Sequence, residues 1–266
     1  MRRQFYLAAT GLALTTPAWG VTTESEFGLT FSQTYYVEPD IMEQRGQLFG
    51  VNGTFAQRQN AAVILEVEYS AGWVDYKGSG TMENIPDTLF ETRVLLGKDW
   101  LAGNGYRVTP YLGLGYRFLT DDSTGMVSSD GSGGYRREQS YVYSPIGIAF
   151  TPAPWHTGWR LGATMEYDHF WYGNNLSTIS AVCGGTDSYV SQDEGEGARV
   201  SLRLYSPRLP NRGRVIFETF YRYWSIADST SNLVYAPRCH SNPSSEYYYE
   251  PHNQSEQFGL RLIWRS

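Results

Sequence analysis

From Phe27 to Trp264 the chain alternates apolar and polar positions with a period of two, and the alternation is broken at intervals by stretches rich in Gly, Pro and Asn. The first segment carries Phe27, Leu29, Phe31, Tyr35 and Val37, with Gly28, Thr30, Ser32 and Thr34 between them. The third carries Val63, Leu65, Val67, Tyr69 and Trp73 against Glu66, Glu68 and Ser70, and the last Phe258, Leu260, Leu262 and Trp264 against Gly259 and Arg261. About ten such segments follow one another. Neighbours two apart share a face of a strand, whereas a helix would bring together residues three or four apart. The pattern therefore predicts an all-β protein of about ten strands, an antiparallel up-and-down barrel.

The connections alternate as well. Gln57–Asn60, Asp99–Gly105, Thr151–Thr157 and Ser206–Gly213 are short, and the intervening ones are expected to be longer: Glu38–Gly46, Tyr76–Asp87, Thr120–Arg137, Tyr172–Gly195 and Ala227–Ser255. A barrel with both termini on one side has short turns at that end and long loops at the other. Pro110 and Pro145 fall inside the fifth and sixth segments, where each removes a ladder donor, and they are read as local bulges or rim positions.

Alternation does not say which face is enclosed. The apolar face of these segments carries no charge. The other face carries Glu66, Glu68, Glu91, Glu166, Asp168 and Glu218 with Arg93, Arg107, Arg117, Arg160, Arg199, Arg203, Arg222 and Arg261. Such near balance of sign predicts a ladder of ion pairs filling the lumen, with the apolar face turned to lipid. Arg suits the role because its planar fork meets a carboxylate with two hydrogen bonds. The small residues Gly28, Gly113, Gly115 and Gly162 are expected to make room for those long side chains. Ten strands leave limited space, so the lumen is expected to be narrow or plugged. Aromatics group near the segment ends. Trp100, Trp155, Trp159 and Trp264 fall on the short-turn side; Tyr35, Trp73, Tyr116, Tyr141, Trp171 and Tyr223 fall toward the long loops. Two girdles at the membrane interfaces would have this form.

Three features of composition sharpen this. Arg2 and Arg3, then an apolar run from Phe5 to Leu14, then Ala18-Trp19-Gly20, read as a secretory signal peptide over residues 1–20, leaving a barrel domain over 21–266. Its removal takes away two arginines and the charge of −6 becomes −8. With no basic tract, a nucleic-acid partner is not expected. No run of eighteen apolar residues follows the leader, so a membrane could be crossed only by a closed barrel. Cys183 and Cys239 both lie in polar, turn-rich stretches, and an exported chain favours one disulfide between two loops.

The pattern over nearly the whole mature chain resembles the bacterial outer-membrane β-barrel proteins, which implies an outer-membrane location and lipid as partner. The stretch Phe258-Gly-Leu-Arg-Leu-Ile-Trp264 resembles the C-terminal strand signal read by the barrel-assembly machinery, although Arg265 and Ser266 follow the aromatic here. The strand count and lengthening loops resemble the omptin proteases. That resemblance implies an acidic pair on one wall of the outer cleft and an Asp-x-His pair on the other. This chain has Glu166-Tyr167-Asp168-His169, with the His in the wrong register, and Asp75 and Asp87 do not form the acidic pair.

Other chemistry is sparse. His156 lies in a predicted turn, and His240 and His252 lie in the last loop, where Cys239-His240 lacks zinc-site spacing. Asp121, Asp122 and Asp130 in a Gly/Ser-rich loop read as solvated acids in preference to a calcium site, and Tyr247, Tyr248 and Tyr249 as packing over the barrel mouth. No cofactor and no catalytic residue is expected. The reading is a non-enzymatic outer-membrane barrel presenting surface loops for structural or binding roles, with an unidentified surface ligand as a candidate partner, the alternatives being a small porin-like diffusion channel for ionic solutes and an omptin-like surface hydrolase.

Overall fold

The computed structural model describes residues 21–102, 105–209, 213–239 and 245–266; the predicted leader and His240 lie outside these. In chain order the strands are β1 (Thr22–Glu38), β2 (Met42–Arg58), β3 (Ala61–Lys77), β4 (Thr81–Lys98), the short β5 (Trp100–Ala102), β6 (Tyr106–Asp122), β7 (Arg136–Thr151) and β8 (Arg160–Ser177). A single helical turn, α1 (Ser180–Cys183), precedes β9 (Ser188–Gln192), β10 (Gly195–Tyr205), β11 (Arg214–Ile226), β12 (Ser231–Tyr235), β13 (Ser245–Tyr249) and β14 (Asn253–Arg265).

Ten of these form the wall. Each long strand pairs antiparallel with the next, β8 pairs with β10 across the excursion of β9, and β14 returns to β1 from Glu26↔Arg265 to Val37↔Gln254. The ring has no free edge, as a sheet in hydrocarbon requires, since unpaired backbone groups would find no water there.

The faces sort as the alternation predicts. In β3, Val63, Leu65, Val67, Tyr69 and Trp73 are exposed on the outside while Ala62, Ile64, Glu68, Ser70 and Val74 are buried within. Val63 to Trp73 is ten residue steps, about 33 Å of strand, and about 25 Å of height at a tilt near 40°. That matches the apolar band of an outer-membrane barrel. Outward charges such as Arg45, Asp75, Lys77, Glu196 and Glu256 lie above the band, and Lys98 below it.

Several expectations are corrected. The first two outer connections are tight turns, Pro39–Ile41 and Gly78–Gly80, because the strands run on through Glu38–Gly46 and Tyr76–Asp87. Asp40 takes the left-handed conformation (φ 64°) that lets the first turn close. Tyr141 does not join the outer girdle; its ring is buried in the lumen. Neither proline ends a strand. Pro110 sits where β6 leaves its ladder with β4, which ends at Gly97↔Tyr111, and takes up β5 at Trp100↔Val108. Pro145 lies in mid-strand, and the β6–β7 ladder lapses there between Leu112↔Ile146 and Gly115↔Tyr143.

A bulge in β8 went unannounced by the alternation. Val142 pairs with Tyr172 but Tyr143 pairs with Phe170, so Trp171 is an extra residue. Below it Glu166, Asp168 and Phe170 point inward; above it Gly173, Asn175 and Ser177 do. One inserted residue switches which parity faces the lumen.

Because Val67 lies midway along the band, Val67→Arg is expected to lower folding free energy in lipid vesicles by about 2–4 kcal/mol, and Ala61→Arg, on the same outward face at the turn end of β3, by at most about 1 kcal/mol. Urea titrations of the barrel refolded into vesicles check both values.

Candidate functional site

The enclosed side chains fall into layers. At the short-turn mouth Glu24 and Asp99 meet Arg58, Arg107 and Arg265. Next come two apolar groups: Ala56, Ala62, Ile64, Leu95 and Tyr111 on one side, Tyr205, Ile216 and Ile263 on the other. The centre is ionic. Above it Tyr141, Tyr143, Phe170, Trp224 and Ile226 form an aromatic stopper, and the outermost layer is again polar.

The strand register assembles the ionic centre. Glu68 and Glu91 face each other across β3 and β4, and Arg199 and Arg222 across β10 and β11. These four sit on opposite arcs of the ring, and their side chains cross the lumen. One Arg199 nitrogen lies 2.9 Å from both oxygens of Glu91. Arg222 reaches Glu68 at 2.5 Å and Glu91 at 3.4 Å. Arg261 bridges Glu68 at 2.5 Å and Glu218 at 3.0 Å. Arg93 bridges Glu166 at 2.5 Å and Glu66 at 2.7 Å, and Arg117 is 4.0 Å from Glu91. Arg203 joins Glu218 at 2.9 Å and Glu26 by a short contact. Tyr111 and Tyr143 donate to Glu166 at 2.6 Å and Glu91 at 2.7 Å. Arg222 is 2 % exposed and Glu68 4 %, so these charges are held by one another and not by bulk water. A cavity of about 110 Å³ runs through the cluster, room for several water molecules.

All fourteen residues assigned to the ladder lie on the inward face, but Arg107 and Arg160 stand at the short-turn mouth, apart from the central cluster. Sequence reasoning missed Glu24, Glu26, Arg58 and Arg265, whose inward parity continues that of the neighbouring segments. The glycines do something other than make room for charge. A Cβ on Gly115 would stand 2.2 Å from the Tyr143 ring and one on Gly259 2.3 Å from Phe220. Gly162 lies against Tyr205, Gly28 against Ile263, and Gly113 against Leu95. They seat apolar groups, mostly aromatic rings of the adjacent strand, within the lumen.

The outer mouth is covered. The β12–β13 hairpin is tied back to α1 by the Cys183–Cys239 disulfide, as expected. Beneath it Ile179, Cys183, Val234 and Ala236 cluster against Tyr135, Val182 and Tyr248. Tyr248 therefore packs over the mouth, while Tyr247 and Tyr249 stay exposed. The Glu250 carboxylate is buried under this cap, accepting from Tyr36 at 2.9 Å and Gln139 at 3.0 Å, beside the Arg137–Glu38 pair. Burial pushes its carboxyl up to about 7, with Arg137 opposing and Glu38 reinforcing the rise. Among the described residues no group of acids, histidines or cysteines is arranged to hold a metal. Asp130 bonds to Ser132 in its own loop, and His252 lies 3.1 Å from Ser225.

A scan of protein-family models and a search of curated proteins found no match. Among solved structures, the outer-membrane protease OmpT from Escherichia coli superposes with a TM-score of 0.61 at 10 % identity, covering 92 % of this chain and 96 % of that one. The fold is that of the bacterial outer-membrane β-barrels. A major outer-membrane protein from Thermus thermophilus (TM-score 0.38, 11 % identity, 91 % and 99 % covered) and the translocator domain of the autotransporter NalP from Neisseria meningitidis (0.36, 7 %, 90 % and 88 %) are more distant and carry no argument. With its fold and its apolar wall, the protein is an integral outer-membrane barrel. An omptin-like pairing is absent at the residues considered: Asp168 points into the lumen, while His169 lies on the outer wall with its ring 4.4 Å from that of Trp171. Asp75 faces outward and bonds to the Asn84 amide, and Asp87 lies within the wall.

Glu91→Ala leaves Arg199 and Arg222 short of a buried partner and is expected to cost about 3–5 kcal/mol in urea unfolding, the range for breaking a buried ion pair. The raised Glu250 pKa means that the capped state binds a proton more readily than the open chain, whose carboxyl titrates near 4.5. This contribution to the cap is full below about pH 4.5 and is lost as pH rises through about 7. Hydrogen exchange in β12 and β13, corrected for intrinsic rates, should be faster at pH 8 than at pH 5.5, and Glu250→Gln should remove the difference.

Proposed function

We propose that the protein is a non-enzymatic outer-membrane barrel whose wall anchors a disulfide-braced cap at the cell surface, for a structural or binding role. The observation that carries this reading is the stoppered lumen. A vestibule of about 310 Å³ under the outer loops narrows to about 40 Å³ beside Asp87 and Arg117. The buried Tyr143 and Trp224, with ring centroids 5.0 Å apart, and the cross-lumen ion pairs fill the section below. A diffusion channel needs a continuous wet path, and an ion pair that spans the lumen would have to break for each solute to pass. Export with loss of residues 1–20, and recognition of β14 by the barrel-assembly machinery, belong to the same proposal. It is supported by the leader-like sequence and by the closing role of β14, with Trp264 on its outer face.

Purified barrel inserted in a planar bilayer is expected to show no stepwise conductance in 1 M salt. Steady unitary openings of the unaltered protein would replace this proposal with the channel. Cleavage of surface peptides, lost in Asp168→Ala or His169→Ala, would replace it with the hydrolase.

A further inference from the structure

At the short-turn end a cavity of about 370 Å³ opens inside the mouth of the barrel, within the size range of ligand pockets. Arg107, Arg160, Arg208, Arg214 and Arg265 line it, with Glu24 the one acidic side chain among its lining residues. Glu24 is already shared among Arg58, Arg107 and Arg265, at 3.3, 3.4 and 3.6 Å. Arg160, Arg208 and Arg214 make no ion pair among the described residues, whereas the arginines of the central cluster each lie within 4.0 Å of a carboxylate.

Two further observations bear on this end. The Arg160 Nε is buried without a hydrogen-bond partner, as are the Nε atoms of Arg117, Arg199, Arg203, Arg222 and Arg261, but those arginines each have a carboxylate within 4.0 Å and Arg160 has none among the described residues. Arg214 stands directly opposite Arg265 in the β11–β14 register, and like charges in that position repel. The arginines of the central cluster each have a carboxylate, and here Arg265 is held by Glu24 and Glu26, but Arg160, Arg208 and Arg214 carry positive charge without an ion-pair partner among the described residues, around a space with room for a ligand.

We propose that this mouth binds a phosphate group, with Arg160 and Arg214 as principal ligands and Arg208 closing over it from the turn. Guanidinium forks match the oxygens of a phosphate two at a time, and a phosphate monoester carries nearly two charges and three acceptor oxygens, enough to serve several arginines. An anion seated between Arg214 and Arg265 turns their repulsion into a shared attraction. The phosphate belongs either to a free solute on the periplasmic side or to a lipid headgroup of the adjoining leaflet. The site stands whether or not the lumen conducts.

The test is calorimetric titration of the folded barrel with inorganic phosphate, at constant ionic strength, in zwitterionic detergent and in vesicles of phosphatidylcholine with or without phosphatidic acid. One saturable site is expected in detergent. The double variant Arg160→Gln/Arg214→Gln should weaken it at least tenfold, and Glu24→Gln should tighten it severalfold. Loss of the phosphate signal in phosphatidic acid vesicles assigns the site to a headgroup, and its persistence assigns it to a free solute. Arg214→Lys keeps the charge and removes the fork, so it should weaken binding severalfold even if the double variant does not fold, which gel mobility without heating reveals. Absence of saturable binding in detergent, binding unchanged in the double variant (in Arg214→Lys if the double variant does not fold), or equal displacement by chloride overturns the proposal.

Discussion

Where no water can reach, a polar group must find its partner in the chain itself or incur a penalty of several kcal/mol. Both sides of this wall obey that requirement. The backbone meets it by closing the ladder between β1 and β14, so that no strand offers a bare edge to hydrocarbon. The side chains meet it by pairing across the lumen: Glu68, Glu91 and Glu166 are each held by at least two arginines that come from different strands. A carboxylate on one strand thereby depends on strands on the far side of the ring. The ion network acts as a set of internal struts, and the shape of the barrel and the burial of its charges are one problem with one solution.

Those struts have a consequence for what the protein can do. A lumen spanned by paired charges and stoppered by Tyr141, Tyr143, Phe170 and Trp224 leaves its two ends as separate compartments. The outer end is roofed by the disulfide-tied hairpin and contains a buried, protonatable Glu250. The inner end is open and arginine-rich. On the proposed reading, binding belongs to the mouths and the centre is structural.

The wall was legible in the sequence because the two-residue period is a direct consequence of strand geometry, and the absence of charge on one face told which way it points. Cys183 and Cys239 were legible for a similar reason, since an exported chain with two loop cysteines has few alternatives. What alternation cannot show is where a strand ends. The segments around Glu38–Gly46 and Tyr76–Asp87 look polar because they rise above the membrane, not because they leave the sheet. A bulge is equally silent: Trp171 looks like any other aromatic, yet it reverses the faces of the residues after it. Tyr141 was misplaced because a girdle tyrosine and a lumen tyrosine differ only in parity. The inward glycines were found but misread, since which ring occupies the space above a glycine depends on cross-strand register. Glu250 lies in a loop, where no periodicity applies.

The apolar side of each strand meets lipid and the charged side is enclosed; everything else in the molecule follows from that sorting. Nitroxide labels placed one at a time from Val63 to Trp73, in vesicles, test it most directly through collision with oxygen, which partitions into lipid, and with a water-soluble nickel chelate. A period of two is expected, with odd positions in β3 accessible to oxygen and shielded from the chelate, and even positions reached little by either. High oxygen accessibility at Ile64, Glu66 and Glu68, with low values at Leu65 and Val67, would contradict it.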